Sequence, residues 1–149
     1  MVEKALYEDL EEILKLQRLA FQSEAKLSND FQIPPLTQTL EGIREDYLNQ
    51  TILKAVLCNK IIGSVRAYKE GDICYIGRVI VHPDHQNKGI GKLLMQKIEE
   101  ELYQCSKYSL FTGKKSLRNI HFYSSLGYKL TREEYVNDNL TLIYFEKVK

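Results

Sequence analysis

Tryptophan is absent from the chain, and proline, cysteine and methionine are scarce, with 3, 3 and 2 copies in 149 residues. The cysteines, Cys58, Cys74 and Cys105, are odd in number and none stands at metal-ligand spacing. A disulfide scaffold, a metal centre and a thiol nucleophile are therefore not expected; buried apolar thiols are. No apolar run approaches the roughly 20 residues that cross a bilayer. Met1-Val2-Glu3-Lys4 lacks a signal peptide's apolar core. A cytoplasmic protein with no membrane partner is the expectation. Charge of one sign is also missing: the net is +1, which provides no field for nucleic acid. What is present is ordinary: 44% hydrophobic and 28% charged residues, enough for one folded domain over residues 1–149.

In chain order, Val2 to Leu6 reads as a strand. Asp9 and Glu12 have the spacing of a capping box, and Leu10, Ile13, Leu14, Gln17 and Phe21 then share one helical face. Phe21 to Leu36 ends in Pro34-Pro35 and reads as a loop or broken helix. A second helix starts near Gln38 with Leu40, Ile43 and Tyr47 inward. Thr51–Cys58, Ile61–Tyr68 and Ile73–Val81 form an antiparallel meander, turned at Asn59-Lys60 and at Lys69-Glu70-Gly71-Asp72. Gly77 interrupts the third of these strands, where a bulge or a close backbone approach is expected. Gly89–Tyr103 is a helix with Leu93, Leu94, Ile98 and Leu102 inward. Lys107–Phe111 is a strand and Ser116–Leu126 a helix, with Gly127 at its C-terminal cap. Tyr128–Thr131 and Leu140–Lys147 make a final hairpin, turned at Val136-Asn137-Asp138-Asn139. The exposed last strand gives a homodimer an edge to form on.

The chemistry concentrates in Val79-Ile80-Val81-His82-Pro83-Asp84-His85-Gln86-Asn87-Lys88-Gly89-Ile90-Gly91-Lys92. A strand ends at a proline, a polar glycine-bearing loop follows, and a helix begins. Unpaired amides and partial positive charge at a helix start bind anions, and Lys88 and Lys92 add charge. A mononucleotide loop is excluded by Gln86 and Leu93, and a dinucleotide loop by Leu94 at the third glycine position. Gln86-Asn87-Lys88-Gly89-Ile90-Gly91 fits a third pattern, Gln/Arg-x-x-Gly-x-Gly/Ala. It resembles the pyrophosphate loop of the GNAT superfamily, the acyl-CoA-dependent N-acyltransferases. Asn119-Ile120-His121-Phe122-Tyr123-Ser124-Ser125-Leu126-Gly127-Tyr128 resembles the second signature of that family.

The resemblance covers nearly the whole chain and implies the GNAT fold. This α/β (α+β) architecture has a mixed, mostly antiparallel sheet of about seven strands, splayed between the fourth and fifth, with about four flanking helices. It implies acetyl-CoA as cosubstrate and no metal, with an acetyl group passing directly to a primary amine of a small molecule or peptide. A non-catalytic acyl-CoA sensor on the same fold is the alternative. The expected cosubstrate contacts are Val79, Ile80 and Val81, the loop residues Gln86, Asn87, Lys88, Gly89, Ile90, Gly91 and Lys92, and Asn119 and Tyr123. Within these, the amides of Ile80 and Val81 would pair with pantetheine like an added strand. The Tyr123 hydroxyl would face the departing sulfur. Where many family members carry a strand glutamate as base, this chain has Tyr75, a poor base because a phenol titrates near 10. Glu24 and Asp30 are the other base candidates, with His82, His85 and His121 behind them. The charge of Arg78 suits an acidic group on a substrate.

Overall fold

The computed structural model describes all of residues 1–149. Seven strands form one sheet in the order β1-β2-β3-β4-β5-β7-β6. They are β1 (Val2–Lys4), β2 (Thr51–Leu57), β3 (Lys60–Glu70), β4 (Ile73–Val81), β5 (Lys107–Gly113), β6 (Lys129–Asn137) and β7 (Leu140–Val148). All neighbours run antiparallel except β4 and β5. A parallel pair needs a crossover, and here the crossover contains α5 (Ile90–Glu101).

The other helices are α1 (Leu10–Ala20), α2 (Gln22–Ser28), α3 (Pro34–Thr37), α4 (Leu40–Asn49) and α6 (Leu117–Ser125). The Phe21–Leu36 segment thus resolves into two short helices. Asn29, in the left-handed region at φ 49°, ends the first. Pro34 and Pro35 open the second, where a missing N–H costs nothing.

Alternation along the strands feeds separate cores. Val65, Ala67, Cys74 and Ile76 pack with Leu94, Met95 and Ile98 of α5. Ile52, Ile61 and Ile80 pack with Leu10, Ile13 and Leu14 of α1 and Ile43 of α4. Leu93, expected inward, is 36% exposed, and Met95 fills the core instead. The α5 stripe therefore centres on 94, 95 and 98. Gly63 lets α5 lie this close, since a Cβ there would come within 3.0 Å of the Ile80 carbonyl oxygen and of Leu94 Cδ1.

Several local expectations shift. The β2–β3 turn falls on Cys58 and Asn59, both left-handed at φ 50° and 63°, which suits the right-handed twist of a hairpin. Asp9 and Glu12 do not form a capping box. Asp9 Oδ2 accepts from the Leu6 amide at 2.7 Å and from Lys54 Nζ at 2.6 Å, and Glu12 Oε2 accepts from the Ile61 amide at 2.9 Å. Asp9 thus serves the turn before α1 and Lys54, and Glu12 serves β3. The last strand, β7, lies between β5 and β6 and is not an edge. The edge is β6, every residue of which is exposed.

Two polar clusters tie the layers together. Arg66 of β3 is 2% exposed. Its Nη1 donates to Asp46 Oδ2 at 2.9 Å and to Gln38 Oε1 at 3.2 Å, and its Nη2 to Gln17 Oε1 at 2.6 Å. Gln17 Nε2 donates on to the Pro35 carbonyl at 2.9 Å, so α1, α3 and α4 are fixed from one buried guanidinium. On the other face, Glu99 of α5 receives Tyr128 Oη at 2.9 Å and Lys147 Nζ at 3.0 Å. Its carbonyl accepts from Tyr108 Oη at 2.9 Å.

Removing one member of a buried ionic network leaves the others desolvated and unpaired. Arg66→Met should therefore lower unfolding free energy by about 3–5 kcal/mol, read from urea denaturation. A loss below about 1 kcal/mol would place the pair among surface bridges instead.

Candidate active site

Strands β4 and β5 pair only from Ile73–Tyr75 to Lys107–Ser109. Beyond Tyr75 they part. The cause lies on the opposite edge of β4. Ser64 pairs with Ile80 but Arg66 pairs with Gly77, so Arg78 and Val79 together face the single residue Val65. This is a β-bulge, which bends a strand and sharpens its twist. Arg78 carries it, at φ 50°. The interruption thus falls one residue after Gly77, the glycine the sequence pointed to; a Cβ on Gly77 would meet nothing within 4 Å.

The His82 amide donates to the Ile62 carbonyl at 2.7 Å. Alternation from that bond turns Ile80 toward β3 and turns the amides of Val79 and Val81 toward the gap. Of the residues expected to present amides there, Val81 does so and Val79 joins it, while Ile80 is spent on the ladder.

The loop after β4 begins with a tight turn at Pro83–His85. Asn87 and Gly89 are left-handed at φ 62° and 83°. No side chain caps α5. The first helical bond runs from the Leu93 amide to the Gly89 carbonyl at 3.0 Å, so the amides of Ile90, Gly91 and Lys92 have no intrahelical acceptor. The space beside Gly89 is open, with nothing within 4 Å of a Cβ built there. Gly91 has a packing role as well, because a Cβ on it would lie 3.2 Å from Phe122 Cζ of α6. Lys88 and Lys92 are exposed. Gln86 stitches the loop down: Nε2 donates to the Val81 carbonyl at 3.4 Å, and Oε1 accepts from Arg118 Nη1 of α6.

A cavity of about 300 Å³ opens where β4 leaves β5. Phe21, Leu27, Ile33, Pro34, Pro35, Leu140 and Leu142 supply apolar walls, and Glu24, Arg78, Asn119 and Tyr123 supply polar groups. Asn119 and Tyr123, one helical turn apart, both reach it. Asn119 Nδ2 donates to Thr112 Oγ1 at 3.2 Å. Tyr123 is buried, and burial drives its phenol far above the ordinary value. The Glu24 carboxylate adds to that rise, and the Arg118 guanidinium offsets part of it. Tyr123 is therefore a neutral O–H donor at any working pH. Glu24 is held by Ser116, whose Oγ donates to Oε2 at 2.9 Å.

The remaining base candidates lie elsewhere. Tyr75 stacks on Tyr68 with ring centroids 5.3 Å apart and does not line the cavity. Asp30 Oδ1 accepts from the Gln32 amide at 2.8 Å, a turn contact. His82 Nδ1 accepts from the Asp84 amide at 3.1 Å, His85 packs edge-on against His82, and His121 is exposed. None of the three histidines lines the cavity. Sequence reasoning missed Ser116 and Arg118 as the residues that position Glu24 and Gln86. It also missed Arg66, whose network holds Pro35 in the cavity wall. The one available signal was an arginine set between the apolar residues Val65 and Ala67.

The family model described as acetyltransferase (GNAT) family matches residues 5–128, and the chain belongs to that family. The L-amino acid N-acyltransferase MnaT of Escherichia coli is 37% identical over 57 residues, 37% of this chain and 33% of that protein. The chain spans about a third of the length of the curated relatives it matches. Among solved structures, smu.2055 of Streptococcus mutans superposes with a TM-score of 0.85 at 18% identity, covering 99% of this chain and 98% of that one. The PaiA N-acetyltransferase of Thermoplasma acidophilum, solved in complex with coenzyme A, gives 0.83 at 16% identity, covering 100% and 98%. The seven-stranded sheet with its one parallel pair is the fold these proteins share.

Proposed function

We propose that this chain is an N-acetyltransferase that moves an acetyl group from acetyl-CoA to a primary amine of a small molecule or peptide. The observation that carries the reading is a strand-to-helix junction with unpaired amides that follows β4, the strand that parts from β5 beyond Tyr75. Family membership supports the same reading.

The residues present fit the cosubstrate. Open space beside Gly89 and the amides of Ile90, Gly91 and Lys92 suit a diphosphate, with Asn87 shaping the loop and Lys88 and Lys92 adding positive charge. Val79 and Val81 offer strand-edge amides to the pantetheine arm, and Asn119 borders its path. Acetyl-CoA supplies the acyl group as an activated thioester. The chain's own work is threefold. The Val79 N–H is a preorganised donor for the carbonyl oxygen. The Tyr123 hydroxyl donates a proton toward the departing sulfur. Glu24, with Oε2 anchored by Ser116, accepts a proton from the amine with Oε1. For a lysine-like amine that deprotonation costs on the order of 4 kcal/mol at neutral pH. Glu24 takes precedence over Tyr75 because it lines the cavity and Tyr75 does not.

The three free thiols suit a reducing compartment, and we place the protein in the cytoplasm on that ground. The fully exposed edge strand β6 supports homodimer formation by edge pairing.

Thiol release from acetyl-CoA with a panel of primary amines tests the proposal. Release with an amine supports it; tight acetyl-CoA binding with no release by any amine assigns the chain to the non-catalytic sensor class. Gly89→Val should weaken acetyl-CoA binding about tenfold or more, by filling the open space and by forcing a branched residue to positive φ; calorimetry reads it. Tyr123→Phe should lower kcat about 100-fold with little change in acetyl-CoA affinity. Because its pKa is raised, Tyr123 stays protonated as pH rises through the usual phenol range. The wild-type kcat profile should therefore show no descending limb from loss of the Tyr123 proton up to about pH 10.

A further inference from the structure

Arg78 stands out among the cations at the cavity. Lys114 and Lys115 are exposed, and Lys114 Nζ pairs with Glu133 at 2.8 Å. Arg78 is partly buried on β4 and lines the cavity beside Pro34 and Pro35. Its Nε is shielded from solvent and has no hydrogen-bond partner. The neighbouring acid, Asp46, is already committed, accepting from Arg66 Nη1 at 2.9 Å and from Gln38 Nε2 at 2.8 Å. Burial lowers the Arg78 pKa, and Asp46 restores part of it.

A shielded guanidinium N–H left without an acceptor is costly. The same residue holds the left-handed bulge conformation, which is strained for an arginine. Burial and strain thus coincide at one position, on a residue that lines the same cavity as Tyr123 and Glu24. A guanidinium fork matches a carboxylate in two parallel hydrogen bonds. Glu24, of opposite sign, lines the same cavity and suits an amine. Phe21, Leu27 and Ile33 supply the apolar remainder.

We infer that the acceptor is a zwitterion, an amino acid with an apolar side chain, whose carboxylate is held by Arg78 and whose amine is presented toward Glu24. This rests on the transferase reading and narrows it to one substrate class. Arg78 acts as a specificity residue: it binds the acceptor and takes no part in the bond changes.

The experiment pairs leucine, methionine, phenylalanine and valine, each in its L form, with their primary amides. Binding is read by calorimetry with coenzyme A bound, and turnover by thiol release from acetyl-CoA. At least one amino acid should bind about tenfold or more tighter than its amide and show the same ratio in KM. Arg78→Gln should bring that ratio close to one by raising KM for the amino acid, while Arg78→Lys should retain part of the preference. Melting temperature and acetyl-CoA affinity are measured for each variant. If wild-type protein binds acetyl-CoA and acetylates amides as well as amino acids, the carboxylate assignment is overturned and the transferase reading stands. If Arg78→Gln loses acetyl-CoA affinity as much as acceptor affinity, the residue serves the cosubstrate and the inference is equally overturned. If wild-type protein binds no acetyl-CoA, both readings fall together.

Discussion

The structure depends on β4 keeping company with β5 for three residues and no more. Two strands that paired along their full length would satisfy each other's amides and leave nothing for a ligand. Here the bulge at Arg78 and Val79 turns β4 aside while its other edge remains laddered to β3. The strand is therefore rigid on one side and open on the other. Its open edge holds donors at fixed positions, which is what a site for a carbonyl oxygen and a chain of amides requires. The helix that follows starts at the end of this same strand, so the anion site and the amide edge are parts of one continuous piece of backbone.

Among the polar groups that line the cavity at the fork, Tyr123 and Glu24 differ in environment. Burial keeps Tyr123 protonated, and the nearby Glu24 carboxylate reinforces that. One group is thus fixed as a donor while the other is available as an acceptor. The surroundings are steadied from elsewhere in the chain: Glu24 by Ser116, Gln86 by Arg118, and the proline wall by Gln17 through Arg66. These supports are polar contacts between elements that are distant in sequence.

The loop from Gln86 to Gly91, the helix after it and the meander before it were legible because their signals are local. Glycine at a left-handed position, proline at a strand end and apolar spacing along a helix are properties of adjacent residues. What escaped was set by distant partners. Ser116 and Glu24 are 92 positions apart, and Arg66 and Gln17 are 49 apart; no spacing rule connects them. The bulge was anticipated at Gly77 because glycine is the residue that tolerates it, yet register with β3 places it on Arg78. Asp9 and Glu12 had the right spacing for a cap and were claimed by Lys54 and the Ile61 amide instead. For Glu12 a tertiary contact outweighed a local capping preference of about 1 kcal/mol.

The knot at Glu99 has a mechanical consequence. It joins α5, which rides on the β3–β4 half of the sheet, to Lys147 of β7 and to Tyr128, which belong to the other half. The short β4–β5 ladder closes the fork at the same root. The two prongs are therefore clamped at the stem like those of a tuning fork, and that clamp sets the spacing at the base. A long, thin guest is gauged from the stem outward, and the depth at which its reactive end comes to rest is dictated by the protein.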